Sequence, residues 1–422
     1  MRPSSENHGS PMRFVSFRRP ILTLRGGDQV HALLLDHNKS TGQVDSQLEA
    51  FQSKVAARFH DLSVGNGKDQ FLSVSWIRKL LDAFSKCQDD FRLIIMSKKD
   101  ATAAAFGGSK PPTERILTEY FDRTIKALDI CNAARDGIEK IKRWQRHLEI
   151  VVCALGAPQT GGKTTVGGGN LRRARKALID LALCMLEDNN SNKDSCAAGG
   201  AAGGAAGGGG GGVFSSTRSR SFIRRPKDHT RPARSRHARS LSWSVSTSWS
   251  ASKQLQLLAN SVGPPKPTDV LASNGLASLV HTMSFVLVFV LWVLVAGIPC
   301  QDRGVHTNIV IPRQCWGRPF HILQARIMEE SKKRERRNSN GLVKEICVME
   351  EGVSHLTELV DSSSQLSEQQ MEELMGRVQE LMSVCEVFKA ELDPLERNLR
   401  EVFRKIVSCR VDGLEFLGNK GS

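Results

Sequence analysis

Residues 284–300 read SFVLVFVLWVLVAGIPC, an apolar run in a chain that is otherwise polar and basic. From Phe285 to Ile298 fourteen residues pass without a polar side chain, and from Leu276 the uncharged run reaches 23, interrupted by Ser278, His281, Thr282 and Ser284. The shorter length is that of a buried core helix, whereas the longer one is enough to span a bilayer. Summing per-residue insertion free energies over its Leu, Val, Ile and Phe residues gives roughly −4 to −8 kcal/mol, less a few for the polar residues near one end. Both flanks are basic, with Arg239, Lys253 and Lys266 before and Arg303, Arg313 and Arg318 after. A single span would therefore leave positive charge outside in either orientation. The first reading is a single-pass helix over 276–298 in the plasma membrane or an endomembrane, with a buried central helix of a cytoplasmic protein and a re-entrant or interfacial segment as the alternatives.

On the N-terminal side the pattern is helical. Leu48, Phe51, Val55, Phe59 and Leu62 recur at spacings of three and four, and Trp76, Leu80, Phe84, Cys87, Phe91 and Ile94 repeat the stripe after Gly65 and Gly67. Behind Pro111 and Pro112, a long pattern runs through Ile116, Tyr120, Ile125, Leu128, Cys131, Ala134, Ile138, Ile141, Trp144, Leu148, Val151 and Leu155 to Gly156. LRRARKALIDLALCMLE (Leu171–Glu187) adds a fourth helix. These predict an N-terminal helical bundle over 44–188, behind a flexible N-terminus over 1–43.

Residues 197–212 are almost pure Ala and Gly and are followed by an Arg/Ser-rich stretch. Such composition buries too little apolar surface to offset the entropy of ordering, so a disordered linker is expected over 189–255. Its Arg218, Arg220, Arg224, Arg225, Arg231, Arg234, Arg236 and Arg239 are candidates for contact with anionic lipid, worth up to about 1 kcal/mol each. Ser221 and Ser242 each follow an Arg by three residues and are candidate phosphorylation sites, whose phosphates would cancel that attraction.

Beyond the apolar run a C-terminal helical domain is expected over 320–415. Phe320–Glu335 opens it, Leu342–Val360 continues the pattern, and Ser367 with Gln370 forms a capping box for a helix through Met371, Leu374, Val378, Leu381, Cys385 and Phe388. DPLE (Asp393–Glu396) reads as a restart with Asp393 as N-cap and Pro394 at the first helical position, after which Leu395, Leu399, Val402, Phe403 and Ile406 carry the stripe. The fold class is thus all-α: antiparallel helical bundles, a disordered basic linker and one strongly apolar helix.

The net charge of +15 favours acidic partners. Nucleic acid is disfavoured, because a lone Tyr120 leaves little stacking material and no reading helix or zinc spacing accompanies the basic patch. The ten cysteines include no CxxC pair and fall mostly on apolar helical positions, as small core residues do in a reducing compartment. The opening MRPSSENHGSPMRFVSFRRP has no apolar core, so no cleaved secretory signal is expected.

APQTGGKTT, with Ala157, Gly162, Lys163 and Thr164, matches the loosest form of a phosphate-binding loop, but such a loop needs a strand before it and a helix starting at the Lys. Here a helical period precedes it and three glycines follow Val166. His60 beside Asp61, and His147 near Glu149, point in different directions on a helix. No catalytic constellation, cofactor site or metal site is expected, and the chain reads as no enzyme.

Longer strings carry a family resemblance. RFHDLS (Arg58–Ser63), SVSWIRKLLDAFSKCQDDFR (Ser73–Arg92), KALDICNAARDGIEKIKRWQRHLEIVVCAL (Lys126–Leu155), RSLSWSVSTSWSASKQLQ (Arg239–Gln256), IPCQDRG (Ile298–Gly304), RIMEESKKRERRNSNGLVKEI (Arg326–Ile346) and LDPLERNLREVFRKIVSCR (Leu392–Arg410) resemble the plant Bypass-related family, and most closely its Roh-type members. The resemblance implies a plant protein without assigned catalysis that binds an Exo-seventy-type subunit of the exocyst, the complex that tethers secretory vesicles, and it often goes with one transmembrane helix. It carries over no ligand or catalytic residue. Together these readings describe a helical interaction protein at a membrane surface in secretion, with a soluble cytosolic scaffold as the alternative.

Overall fold

The apolar stripes become the inner faces of helices. The computed structural model describes residues 28–64, 70–106, 111–156, 167–190, 249–300, 309–335, 339–362 and 367–418, and every regular element among them is helical. In chain order these are α1 (Asp28–Val64), α2 (Val74–Phe106), α3 (Pro111–Leu155), α4 (Gly168–Asn190), α5 (Ala251–Ser261), α6 (Pro267–Ala272), α7 (Leu276–Gly297), α8 (Arg318–Glu335), α9 (Lys344–Ser362) and α10 (Glu368–Gly418), with a 3-10 turn at Cys315–Gly317 before α8. The chain divides into Met1–Ser46, of which only the opening of α1 is described, and a compact part, Gln47–Ser422, which holds everything below.

Phe51, Val55, Phe59 and Leu62 of α1 are buried, as are Trp76, Leu80, Phe84, Cys87 and Phe91 of α2. In α3 the stripe holds except at Ile125, which is exposed. The inner place there goes to Thr124, buried because its hydroxyl donates to the Phe121 carbonyl at 2.6 Å and so leaves no unpaired polar atom.

The stretches expected as an N-terminal bundle over 44–188 and a C-terminal domain over 320–415 pack into one another. α10 lies against α2 and α3 as well as α9, and α4 lies against α3 and α9. Ion pairs Arg78–Glu391, Arg92–Asp412 and Lys405–Asp89 tie α10 to α2 across the join. Periodicity assigns faces to helices but not partners to faces, so it did not reveal this mixing.

Two local expectations change. Residues 251–255, counted with the linker, form the start of α5: Ser250 is its N-cap, accepting from the Lys253 amide at 3.3 Å, and Leu255 and Leu258 are buried. Pro394 does not restart a helix but lies inside α10. The lost backbone bond is offset by the burial of Leu392, Leu395 and Leu399, and the Asp393 carboxylate, cast as a cap, instead meets the Lys142 ammonium of α3 at 2.9 Å. The capping box stands as expected: Ser367 Oγ accepts from the Gln370 amide at 3.2 Å, and Gln370 Oε1 accepts from the Ser367 amide at 3.0 Å.

Candidate functional site

α7 is the helix formed by the apolar run. All of it is buried except Ser278 and His281. α2, α3, α5 and α6 pack on it, and α1 and α8 reach it through aromatic rings. Phe59 of α1 meets Phe289 edge-on at 6.0 Å between centroids, and Phe320 of α8 meets Phe285 at 5.0 Å, Phe289 at 4.9 Å and Phe59 at 4.2 Å. Trp316 closes the cluster against Phe285 at 5.6 Å. These offset and edge-to-face contacts add to the apolar burial.

Thr282 and the last carbonyls of α7 are met by protein, while Ser284 Oγ and Trp292 Nε1 have no hydrogen-bond partner there. Thr282 Oγ1 accepts from Gln52 Nε2 of α1 at 3.0 Å and donates to the Ser278 carbonyl at 2.9 Å. A helix end leaves its last carbonyls without intrahelical partners. At the end of α7 the backbone of 341–343 supplies two of them: the Leu342 amide donates to the Ala296 carbonyl at 3.0 Å and the Val343 amide to the Gly297 carbonyl at 3.2 Å. The next two residues join the same strip to the start of α2, with the Lys344 amide donating to the Leu72 carbonyl at 2.9 Å and Glu345 Oε2 accepting from the Val74 amide at 3.1 Å. Only glycine fits at 341, because a Cβ there would lie 2.4 Å from the Gly297 carbonyl oxygen. On the far side, Gly137 of α3 lets Ile298 and Pro299 pass close, since a Cβ would come within 2.5 Å of Ile298 Cγ2.

A second focus is the Lys142 ammonium, which lies 2.6 Å from Glu396, 2.9 Å from Asp393 and 3.2 Å from Glu139. Burial works against its charge, but the hydrogen bonds to Glu396, Asp393 and Glu139 outweigh it and hold Lys142 above the usual lysine range. The hydrogen bond from Lys142 holds buried Glu396 below the usual carboxylate range, against the opposing effect of burial. A depressed carboxylate pKa stabilises the fold above its unfolded value and stops doing so as pH falls through the folded one, whereas a raised lysine pKa loses its contribution only at alkaline pH. Lys142→Ala is therefore expected to cost about 1–2 kcal/mol at neutral pH, measured by urea unfolding, and progressively less below about pH 4 as Glu396 protonates.

Most of the residues singled out for chemistry are not among those described. Arg218, Arg220, Arg224, Arg225, Arg231, Arg234, Arg236, Arg239, Ser221 and Ser242 lie outside the described residues, as do Ala157, Gly162, Lys163 and Thr164. The segment leading toward APQTGGKTT is the end of α3, a helix where a phosphate loop needs a strand. His60 and Asp61 are both exposed. Among the described residues no group of His, Cys, Asp and Glu could hold a metal ion. Buried Cys87, Cys131, Cys385 and Cys409 are free thiols.

What the body offers instead is surface. Along α4, Arg172, Lys176, Ile179, Leu183 and Leu186 are exposed at successive spacings of four and three, a single outward row that is basic at one end and apolar at the other. From Lys344 to Glu391 the chain carries eleven carboxylates and three cations, so α9 and the first half of α10 are acidic within a basic protein.

The sequence model of the family described as "Protein ROH1-like" matches residues 2–417. Protein ROH1D of Arabidopsis thaliana is 44% identical over 408 residues, covering 96% of each chain, and Protein ROH1A of the same plant is 34% identical over 446 residues, covering 100% of this chain and 98% of the relative. No solved structure matches. With the match running almost from end to end, through the strip at 341–345 and the Lys142 cluster alike, the chain belongs to the ROH1-like family.

Proposed function

We propose that this chain is a non-enzymatic helical adaptor of the plant secretory machinery, which engages an Exo-seventy-type exocyst subunit through its outer helix faces and keeps α7 as its own core. The observation that carries the reading is the enclosure of α7. Its sides are covered by apolar helices and its last carbonyls are bonded to 342–343, so entering lipid would mean leaving partners on every side. α7 would recover its own burial in a bilayer, but Phe59, Phe320 and Trp316 would not, at about 1.5–3 kcal/mol for each large side chain left exposed. The competing single-pass reading rests on the 22-residue length and composition of α7, which suffice to cross a membrane.

The membrane surface is then reached from outside, through the arginines at 218–239 on anionic lipid, with phosphorylation of Ser221 and Ser242 weakening the contact. The partner assignment is tested with the full chain purified without detergent and immobilised. An Exo-seventy-type subunit is expected to be retained, equally so when residues 197–212 are deleted. Failure to retain any such subunit at micromolar concentration removes the exocyst from the account and leaves a scaffold of other partners.

A further inference from the structure

Beside the start of α7 there is a cleft of about 210 Å³ between α3, the 261–266 loop and α7. Its charged groups are Arg115, Glu119 and Arg123 from α3, Lys266 from the loop and Asp269 from α6. Arg115, at the mouth, takes up both carboxylates, meeting Glu119 Oε1 and Asp269 Oδ2 at 2.9 Å each. Arg123 lies deeper, donating from Nη2 to the Ser261 carbonyl at 3.0 Å and from Nε to Ser261 Oγ at 3.3 Å, with Glu119 no nearer than 3.6 Å. Three cations against two carboxylates leave one positive charge in surplus.

The inner wall is α7. Ser284 lines the cleft at 1% exposure, and its hydroxyl has no hydrogen-bond partner in the protein. A buried hydroxyl without a partner costs about 1–3 kcal/mol, and a ligand atom in the cleft would remove that cost. His281, one turn earlier, is held below its usual range by burial and by the Arg123 charge, so it stands neutral at pH 7 and adds no second positive charge. The remaining walls are apolar: Ile116, Val262, Pro264, Pro265 and Val280.

We propose that this cleft binds a small organic monocarboxylate, its carboxylate between Arg123 and the Ser284 hydroxyl and its short apolar body against the proline-lined wall. One surplus charge selects a monoanion, and the volume, below the roughly 300–1,000 Å³ of drug-sized sites, selects a small one. The site is independent of the exocyst reading.

The test uses the full chain and hexanoate as probe, with hexylammonium as the oppositely charged control, followed by titration calorimetry. Saturable one-to-one binding of hexanoate and none of hexylammonium are expected. Ser284→Val is expected to weaken hexanoate by about tenfold or more through loss of a hydrogen bond to a charged group. Lys266→Glu changes only an exposed loop residue, so it folds whatever Ser284→Val does, and it is expected to weaken binding about threefold. Absence of hexanoate binding, equal binding of the two ions, or hexanoate affinity unaltered by Lys266→Glu overturns the proposal.

Discussion

Replacing Phe320 with alanine is expected to lower the unfolding free energy by about 3–5 kcal/mol, the usual cost of deleting a fully buried aromatic ring. Phe320 is on α8, outside the apolar run, yet its ring meets Phe59, Phe285, Phe289 and Trp316. The loss is that large only if α7 sits inside the body, because two of those four partners belong to α7. Urea unfolding followed by tryptophan fluorescence reads the change, since Trp292 and Trp316 flank the cluster. A cost within about 0.5 kcal/mol, as for a surface substitution, would mean that the cluster does not exist in solution.

Gly341→Val should cost about 2–4 kcal/mol by a different route. A Cβ at 341 would collide with the Gly297 carbonyl, which is backbone and cannot swing aside as a flexible side chain could. The strip 341–343 must then withdraw, giving up the bonds from the Leu342 and Val343 amides and exposing the last carbonyls of α7, at about 1 kcal/mol per bond plus the strain of overpacking. Hydrogen exchange separates this from general loosening: the Leu342 and Val343 amides should lose protection while those in the middle of α3 keep theirs. Unchanged protection at 342 and 343 would contradict the role given to the strip.

Much of the helical framework was legible because local rules govern it. The Ser367/Gln370 cap and the inner rows of α1 and α2 follow from capping chemistry and spacing over a few residues, and the apolar helix begins at Leu276, where the uncharged run was counted from. Pro394 and Ile125 went the other way: α10 runs on through the proline with Glu391 and Asn398 held by α2 and Asp393 and Glu396 by α3, and Thr124 can turn inward because its hydroxyl bonds locally. What covers α7 was not legible. Gln52, Phe59, Phe320 and Leu342 are far from it in sequence, and nothing in their own neighbourhoods distinguishes them from other helix or loop residues. Hydropathy therefore left bilayer and core level, and the packing of Phe59, Phe320 and Leu342 around α7 is what supports the proposed core reading.

The candidate surfaces divide in the same way. The acidic stretch Lys344–Glu391 is visible as composition, whereas the outward row on α4 emerges only once α3 and α9 are seen to occupy its other faces. The cleft at Arg123 and Ser284 had no sequence signature, since its walls come from α3, the α5–α6 loop and α7, more than 130 residues apart at the extremes.

The proposal that α7 is a core helix and not a span is read out by alkaline carbonate washing of membranes from cells making the full chain. High pH strips proteins held by basic surface contacts but leaves helices that cross the bilayer. The protein is expected in the supernatant, together with peripheral markers. Retention in the pellet with integral markers, while Phe320→Ala leaves stability unchanged, would show that α7 has left the helices packed around it and that the chain is anchored in the membrane.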